Sequence, residues 1–204
     1  MSDTLAVGRI GWWKFQNGDL TDQSGNGRDL ICAGTQVNAV DKDGIANNAV
    51  NLYNSSYYKT NDSVHPLSGL TEWSICMWVN FRSRISLEGF LTVNGYTSGY
   101  EKSWFADSQI MKINGADRLR PANGWHFIIW ERLSTGDSQF FIDGDGSWVG
   151  TLYVSDSIND LIFGKRIYFP TRRPNVDFDE ISIYNRVLTF NEKIELQARG
   201  VNLS

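Results

Sequence analysis

The stretch Glu72 to Phe81 alternates with a period of two. Trp73, Ile75, Met77, Val79 and Phe81 fall on one side, and Ser74, Cys76, Trp78 and Asn80 on the other. That spacing predicts a β-strand, because successive side chains of a strand point to opposite faces. Ile10 to Gln16 is apolar and aromatic on both faces, and Trp125 to Arg132 reads as a buried strand. Ala49 to Tyr53 alternates, and Tyr57 and Tyr58 continue in strand-like character. A Ser134-Thr135-Gly136-Asp137 turn precedes Ser138 to Asp143, giving a hairpin, and Asp143-Gly144-Asp145-Gly146 is a second turn signal. Leu161 to Gly164 is a short strand. Phe178 to Asn185 is the last, with Phe178, Glu180, Ser182 and Tyr184 expected opposite Asp179, Ile181, Ile183 and Asn185.

One helix is expected near the C-terminus. Thr189 with Glu192 three residues later forms a capping box, and Gly200 is a stop signal. Many short strands with frequent turns and a single short helix predict an all-β fold: a two-sheet antiparallel β-sandwich, or jelly roll. The length of 204 residues suits one such domain spanning residues 1–204, and no repeat, low-complexity tract or linker divides it.

Composition narrows the function. Aromatic residues make up 13% of the chain, with eight tryptophans, as suits half-buried pleated surfaces. The formal net charge is −4, and Arg172-Arg173 is the one short basic patch, so a nucleic-acid partner is not expected. No run approaches about 18 consecutive apolar residues, so membrane insertion is not expected. The start Met1-Ser2-Asp3-Thr4-Leu5 lacks a basic region followed by an apolar run, so the chain reads as made in the cytosol without a signal peptide. Work outside a cell would then need lysis or assembly into a particle, unless the chain is a trimmed secreted fragment. Cys32 and Cys76 are either a disulfide or two thiols acting as small hydrophobes.

Six motifs in order resemble the laminin-G-like branch of the concanavalin A-like lectin and glucanase superfamily. Gly11-Trp12-Trp13-Lys14-Phe15 followed by Asp22-Gln23-Ser24-Gly25-Asn26-Gly27 resembles its opening strand and turn. Ala49 to Tyr53 with Tyr57-Tyr58, and Trp73 to Val79, are similar to its next two segments. Gly124-Trp125-His126, Phe141-Ile142-Asp143-Gly144 and Phe178 to Leu188 resemble the last three. Two departures stand out: Phe127 replaces the family's second histidine, and Tyr53-Asn54-Ser55 replaces its phenylalanine-x-glycine. The resemblance implies a jelly roll whose members include lectins, carbohydrate-binding modules, adhesion domains and glucanases, so fold does not settle function.

Two constellations could carry chemistry. Antiparallel pairing of the first and last strands would bring Asp22, Ser24 and Asn26 toward Asp177 and Asp179, as oxygen donors for a structural Ca²⁺. The resemblance implies the same ion near Asp22 and Asp179, so Asp22, Asn26 and Asp179 are the candidate ligands. The alternative is a turn that closes on its own backbone, with Asp179 accepting its hydrogen bonds. The second constellation is a loop aromatic cluster of Tyr96, Tyr100 and Trp104 with Tyr168 and Phe169, flanked by Asn94, Arg172 and Arg173. Such rings stack on sugar faces or cap an aromatic core.

Catalysis is not expected. Asp177-Phe178-Asp179-Glu180 lacks the glutamate-x-aspartate-x-x-glutamate pattern of laminarinases, and Glu180 is expected to point away from Asp177 and Asp179. His126 reads as a packed, hydrogen-bonded residue. The leading expectation is a non-enzymatic lectin-like module that binds a glycan or cell-surface ligand, on a bacteriophage virion surface as head fibre, decoration protein or tail adhesin. Other virion proteins are then possible partners. The rivals are a purely structural decoration or cementing protein, and a degenerate glycoside hydrolase.

Overall fold

The computed structural model describes residues 4–52, 56–61, 66–82, 88–92, 103–106, 110–113, 116–119, 121–151, 161–164 and 174–199. The strands are β1 (Arg9–Trp13), β2 (Leu30–Ala33), β3 (Val37–Ala39), β4 (Ala49–Asn51), β5 (Tyr57–Thr60) and β6 (Trp73–Phe81). Next come β7 (Glu88–Thr92), β8 (Ser103–Ala106), β9 (Ile110–Ile113), β10 (Ala116–Leu119) and β11 (Gly124–Arg132). The chain continues through β12 (Asp137–Ile142), β13 (Asp145–Thr151), β14 (Ile162–Phe163) and β15 (Val176–Tyr184) to the helix α1 (Phe190–Arg199).

The strands form an antiparallel β-sandwich. The first sheet runs β13-β12-β11-β6-β15-β4-β3, with β1 also on β15. The second runs β10-β9-β8-β7-β14-β5-β2. β6 occupies one side of β15; β4 and β1 share the other, β4 at Asp177-Phe178 and β1 from Ile181 to Tyr184. The first and last strands therefore do run side by side.

The core lies between the sheets because alternate residues of their strands face inward. Trp73, Ile75, Met77, Val79 and Phe81 are all buried there, on the face their spacing assigned them. The second sheet contributes Leu30, Tyr58, Leu91 and Phe163. Rings meet edge to face: Trp13 and Phe163 at 6.1 Å, Phe163 and Phe178 at 6.3 Å, Trp73 and Trp130 at 5.4 Å. Full burial of a side chain such as Phe178 contributes roughly 1.5–3 kcal/mol. Gly164 has φ +88°, and a Cβ there would lie 2.7 Å from the Leu52 side chain, so this close approach requires glycine.

A smaller cluster covers the outer face of the first sheet. Cys76, Phe127, Ile129, Tyr184 and Leu188 are buried there, with Leu196 of α1 packed on them. This explains why Trp125 to Arg132 is apolar on both faces. Thr189 caps α1 as expected: its amide donates to Glu192 Oε2 at 2.8 Å, and the Glu192 amide donates to Thr189 Oγ1 at 3.3 Å. Lys193 Nζ reaches the fully buried Glu131 at 2.6 Å and ties the helix to β11. Cys32 and Cys76 are free thiols, Cys32 half-buried on β2 and Cys76 buried on β6.

Three details differ from expectation. The first strand ends at Trp13, and Phe15 turns the chain with φ +58°. The strand expected from Ala49 ends at Asn51. In β15 the alternation breaks: a bulge between Asp179 and Ser182, with Glu180 at φ +48°, adds a residue against β6. The bulge changes the phase, so Phe178, Ile181 and Ile183 all enter the core. The hairpin turns match their sequences: Asp143 and Gly144 take φ +52° and +79°, the paired positive values of a two-residue hairpin.

Candidate functional site

The loop after β1 folds back along that strand. Asp22 is its hub: Oδ1 accepts the amides of Trp12 and Ser24, and Oδ2 accepts the Ser24 hydroxyl and the Arg28 amide, all at 2.8–3.0 Å. Burial raises the Asp22 pKa, but these bonds outweigh it and hold the carboxyl below its ordinary value. Asn26 Nδ2 donates to Ser24 Oγ at 2.9 Å and to the Arg9 carbonyl at 3.4 Å.

Asp179 lies elsewhere, beside the loop between β3 and β4. It is fully buried, and neither carboxylate oxygen has a hydrogen-bond partner. Burial first, then the charges of Glu180 and Asp41, push its pKa up to about 8. Asp41 is 2% exposed; its Oδ1 accepts the Asp43 and Ile45 amides, while Oδ2 lacks a partner. Among the described residues no hydrogen bond joins Asp22 or Asn26 to Asp179, and no group of three His, Cys, Asp or Glu side chains is arranged to hold a metal. The strand pairing expected from the sequence is present, but the turn closes on β1 instead of reaching the acidic residues of β15. Asp22, with four donors already on its oxygens, does not suit a shared ion. Both oxygens of Asp179 and Oδ2 of Asp41 are left without hydrogen-bond partners.

Asp177 is buried and satisfied. Asn51 Nδ2, Asn80 Nδ2 and Arg82 Nε reach it at 2.7, 2.9 and 2.6 Å. Glu180 departs from expectation because of the bulge. Its carboxylate accepts the Trp12 indole N–H at 2.8 Å, where it shares neighbours with Asp179. Burial raises its pKa, opposed by Trp12 and by Lys14, Lys42 and Arg9. Arg9 and Lys14 stand over the Trp12 ring, at 3.9 and 4.2 Å from its centroid. Trp78 packs on Phe127 at 5.3 Å, with Lys42 at 5.1 Å from its ring. Sequence reading missed this aromatic and ionic surface, because only the bulge turns Glu180 toward Trp12.

His126 is hydrogen-bonded, as expected: Nδ1 is 2.6 Å from Asp143 Oδ2 and Nε2 is 3.0 Å from the Ala122 carbonyl. Of the aromatic cluster, Trp104 is placed by its backbone on β8, opposite Leu91 of β7 and Ile113 of β9. Tyr96, Tyr100, Tyr168 and Phe169, with Asn94, Arg172 and Arg173, lie outside the described residues. Among the described residues, no helix is long and apolar enough to cross a membrane.

No family model matches the chain, and no curated protein sequence matches it. Solved structures do. Domain 4 of AbnA, an extracellular arabinanase from Geobacillus stearothermophilus solved with arabinotriose, is 20% identical, with a TM-score of 0.66. That match covers 92% of this chain and 97% of the arabinanase domain. A structure of botulinum neurotoxin type C, whose cell entry is described as dependent on interaction with two ganglioside molecules, is 11% identical with a TM-score of 0.72, over 97% of this chain and 53% of that one. A mutant Trypanosoma rangeli sialidase displaying trans-sialidase activity is 11% identical with a TM-score of 0.74, over 98% of this chain and 34% of that one. The chain thus spans about half of the neurotoxin chain and about a third of the sialidase chain. At these identities the likeness is one of fold: the chain shares the β-sandwich of proteins that include an arabinotriose-bound domain.

Proposed function

We propose that this chain is a lectin-like recognition module that binds a glycan or a cell-surface ligand without transforming it. The reading is carried by the end-to-end correspondence with the arabinanase domain, which holds arabinotriose and matches this chain over nearly all of both lengths. The ganglioside dependence of the neurotoxin supports the same class of ligand. Binding belongs to the aromatic residues Tyr96, Tyr100, Trp104, Tyr168 and Phe169, a residue type whose rings offer apolar faces to sugar C–H groups. The finer proposal places the module on the surface of a bacteriophage particle, made in the cytosol and working outside it.

Catalysis is not part of this reading. A glycosidase sets two carboxyls across the scissile bond and gives each access to substrate. Asp179 and Glu180 are neighbours in sequence, and Asp179 is fully buried. One observation favours a second reading, a structural decoration protein. Val37, Val40 and Ile45 are exposed near the β3 edge, an apolar surface suited to a protein neighbour.

A glycan array on the parent, with Trp104→Ala and Tyr100→Ala alongside, separates the two. The lectin reading expects selective binding, weakened at least tenfold by either substitution. A folded parent that binds no glycan overturns it in favour of the structural reading. Calcium enters the proposal at Asp179 and at Oδ2 of Asp41, buried carboxylate oxygens without a hydrogen-bond partner. Thermal melts of chelated protein with and without Ca²⁺ should give a stabilising shift that Asp179→Asn removes and Asp22→Asn leaves. No shift in the parent ends the calcium proposal.

A further inference from the structure

β1 is an edge strand: β15 holds one side of it, and the other side would be open but for the Asp22–Arg28 loop. Trp12 turns its backbone groups away from β15, and Ile10, the extra residue of a bulge between Arg9 and Gly11, has no β15 partner. Three of their backbone groups meet the loop, as does the Arg9 carbonyl, which Asn26 Nδ2 reaches at 3.4 Å. The Trp12 amide donates to Asp22 Oδ1 at 2.9 Å, the Trp12 carbonyl accepts the Gln23 amide at 2.7 Å, and the Ile10 carbonyl accepts Arg28 Nη1 at 2.6 Å. Asp22 Oδ2 in turn fixes the Arg28 amide at 3.0 Å. A carboxylate, a main-chain amide and a guanidinium thus stand where a neighbouring strand would place its own hydrogen-bonding groups.

The loop is closed at its base and exposed at its tip. Leu30 donates to the Leu20 carbonyl at 2.9 Å, closing its base, while Gln23, Gly25, Asn26 and Gly27 are exposed. Gly25 and Gly27 have nothing within 4 Å of where a Cβ would be, and the loop is held to β1 by polar contacts, among them Asn26 Nδ2 on the Arg9 carbonyl at 3.4 Å and the Trp13 indole N–H on the Arg28 carbonyl at 2.9 Å. Under it lies Arg-Ile-Gly-Trp-Trp, a short strand without proline, with β-branched and aromatic residues and one charge. Such a segment adds readily to a copy of itself. Antiparallel self-pairing centred on Gly11 sets Arg9 opposite Trp13, so no like charges meet.

We propose that the Asp22–Arg28 loop is a removable guard over a strand-addition site, and that the partner this site fits is β1 of a second copy of the chain. Opening the loop would join two first sheets edge to edge into one continuous sheet. This is independent of glycan binding.

The test compares the parent with Asp22→Ala/Arg28→Ala, and with a variant whose residues 22–28 are replaced by two glycines across the closed base. Sedimentation should find the parent monomeric and both variants dimeric at micromolar concentration. A labelled peptide of residues 9–13 should bind the variants at least tenfold more tightly than the parent. Adding Trp12→Pro, which removes the edge-facing amide, should restore the monomer. Variants that keep the parent's circular dichroism yet stay monomeric and take no peptide overturn the proposal. Native-state hydrogen exchange of the parent decides the matter should both variants unfold. The Trp12 and Arg28 amides should exchange together by local opening, ahead of the β15 amides. Exchange of Trp12 only on global unfolding overturns the guard.

Discussion

The indole N–H of Trp12 donates to Glu180 Oε2 at 2.8 Å, across the pairing of the first strand with the last. The bond exists because Glu180 sits in the β15 bulge at φ +48°, which turns its side chain toward the face that carries Trp12. A regular strand would have aimed Glu180 away and left the indole without this acceptor. The bulge is therefore a built feature that joins an aromatic ring, two cations over it and a partly buried carboxylate into one unit.

Replacing Glu180 by alanine should destabilise the fold by about 1–2 kcal/mol, because a partly buried indole donor loses its acceptor. Glu180→Gln keeps an acceptor and should recover most of that loss. Urea unfolding followed by tryptophan fluorescence reads both, and the Trp12 contribution to the folded spectrum should change in the alanine variant only. Equal stabilities for parent and Glu180→Ala would show that the bond carries no net weight.

Much of this architecture is legible from alternation. The inward set of β6 is fixed by period two, because one face of a long central strand must be apolar throughout. The Thr189–Glu192 cap is equally local, its two partners being three residues apart. What escapes is whatever depends on an added residue or on distant chain. The β15 phase fails beyond Asp179 because a bulge shifts the period without leaving a glycine to mark it. The Asp22 turn closes on its own backbone and strand, one of the two arrangements its sequence allows, and the sequence does not choose between them because strand adjacency does not say which way a loop folds back. The pair of Glu131 and Lys193 spans sixty-two positions and no local pattern announces it.

That pair should be the main anchor of α1. Glu131 is fully buried, and its Oε1 accepts the Ser74 hydroxyl and the Leu188 amide while Oε2 holds Lys193. Lys193→Met leaves the buried carboxylate without its cation and should cost about 3 kcal/mol. The double replacement Lys193→Met with Glu131→Gln should cost markedly less, since no uncompensated charge remains. Denaturant titrations of the four proteins form the cycle. Additive losses would show that the two groups do not act together.

The start of the same helix should respond to acid. Arg186 donates to both oxygens of Glu192, at 2.9 and 2.7 Å, and this bond more than any other lowers the Glu192 pKa to about 2. The ordinary value is 4.5, so the folded protein holds this carboxylate ionised where the unfolded chain would already be protonated. A depressed folded pKa gives stability that is present above about pH 4.5 and is lost as pH falls toward 2. Glu192→Gln should therefore lower the melting temperature at pH 7 and flatten its fall between pH 5 and about 2, bringing parent and variant together at the acid end. Arg186 also donates to the Val7 carbonyl at 3.0 Å, so its release should loosen the segment ahead of β1. Parallel melting curves for parent and variant across that range would place the acid sensitivity in another carboxylate.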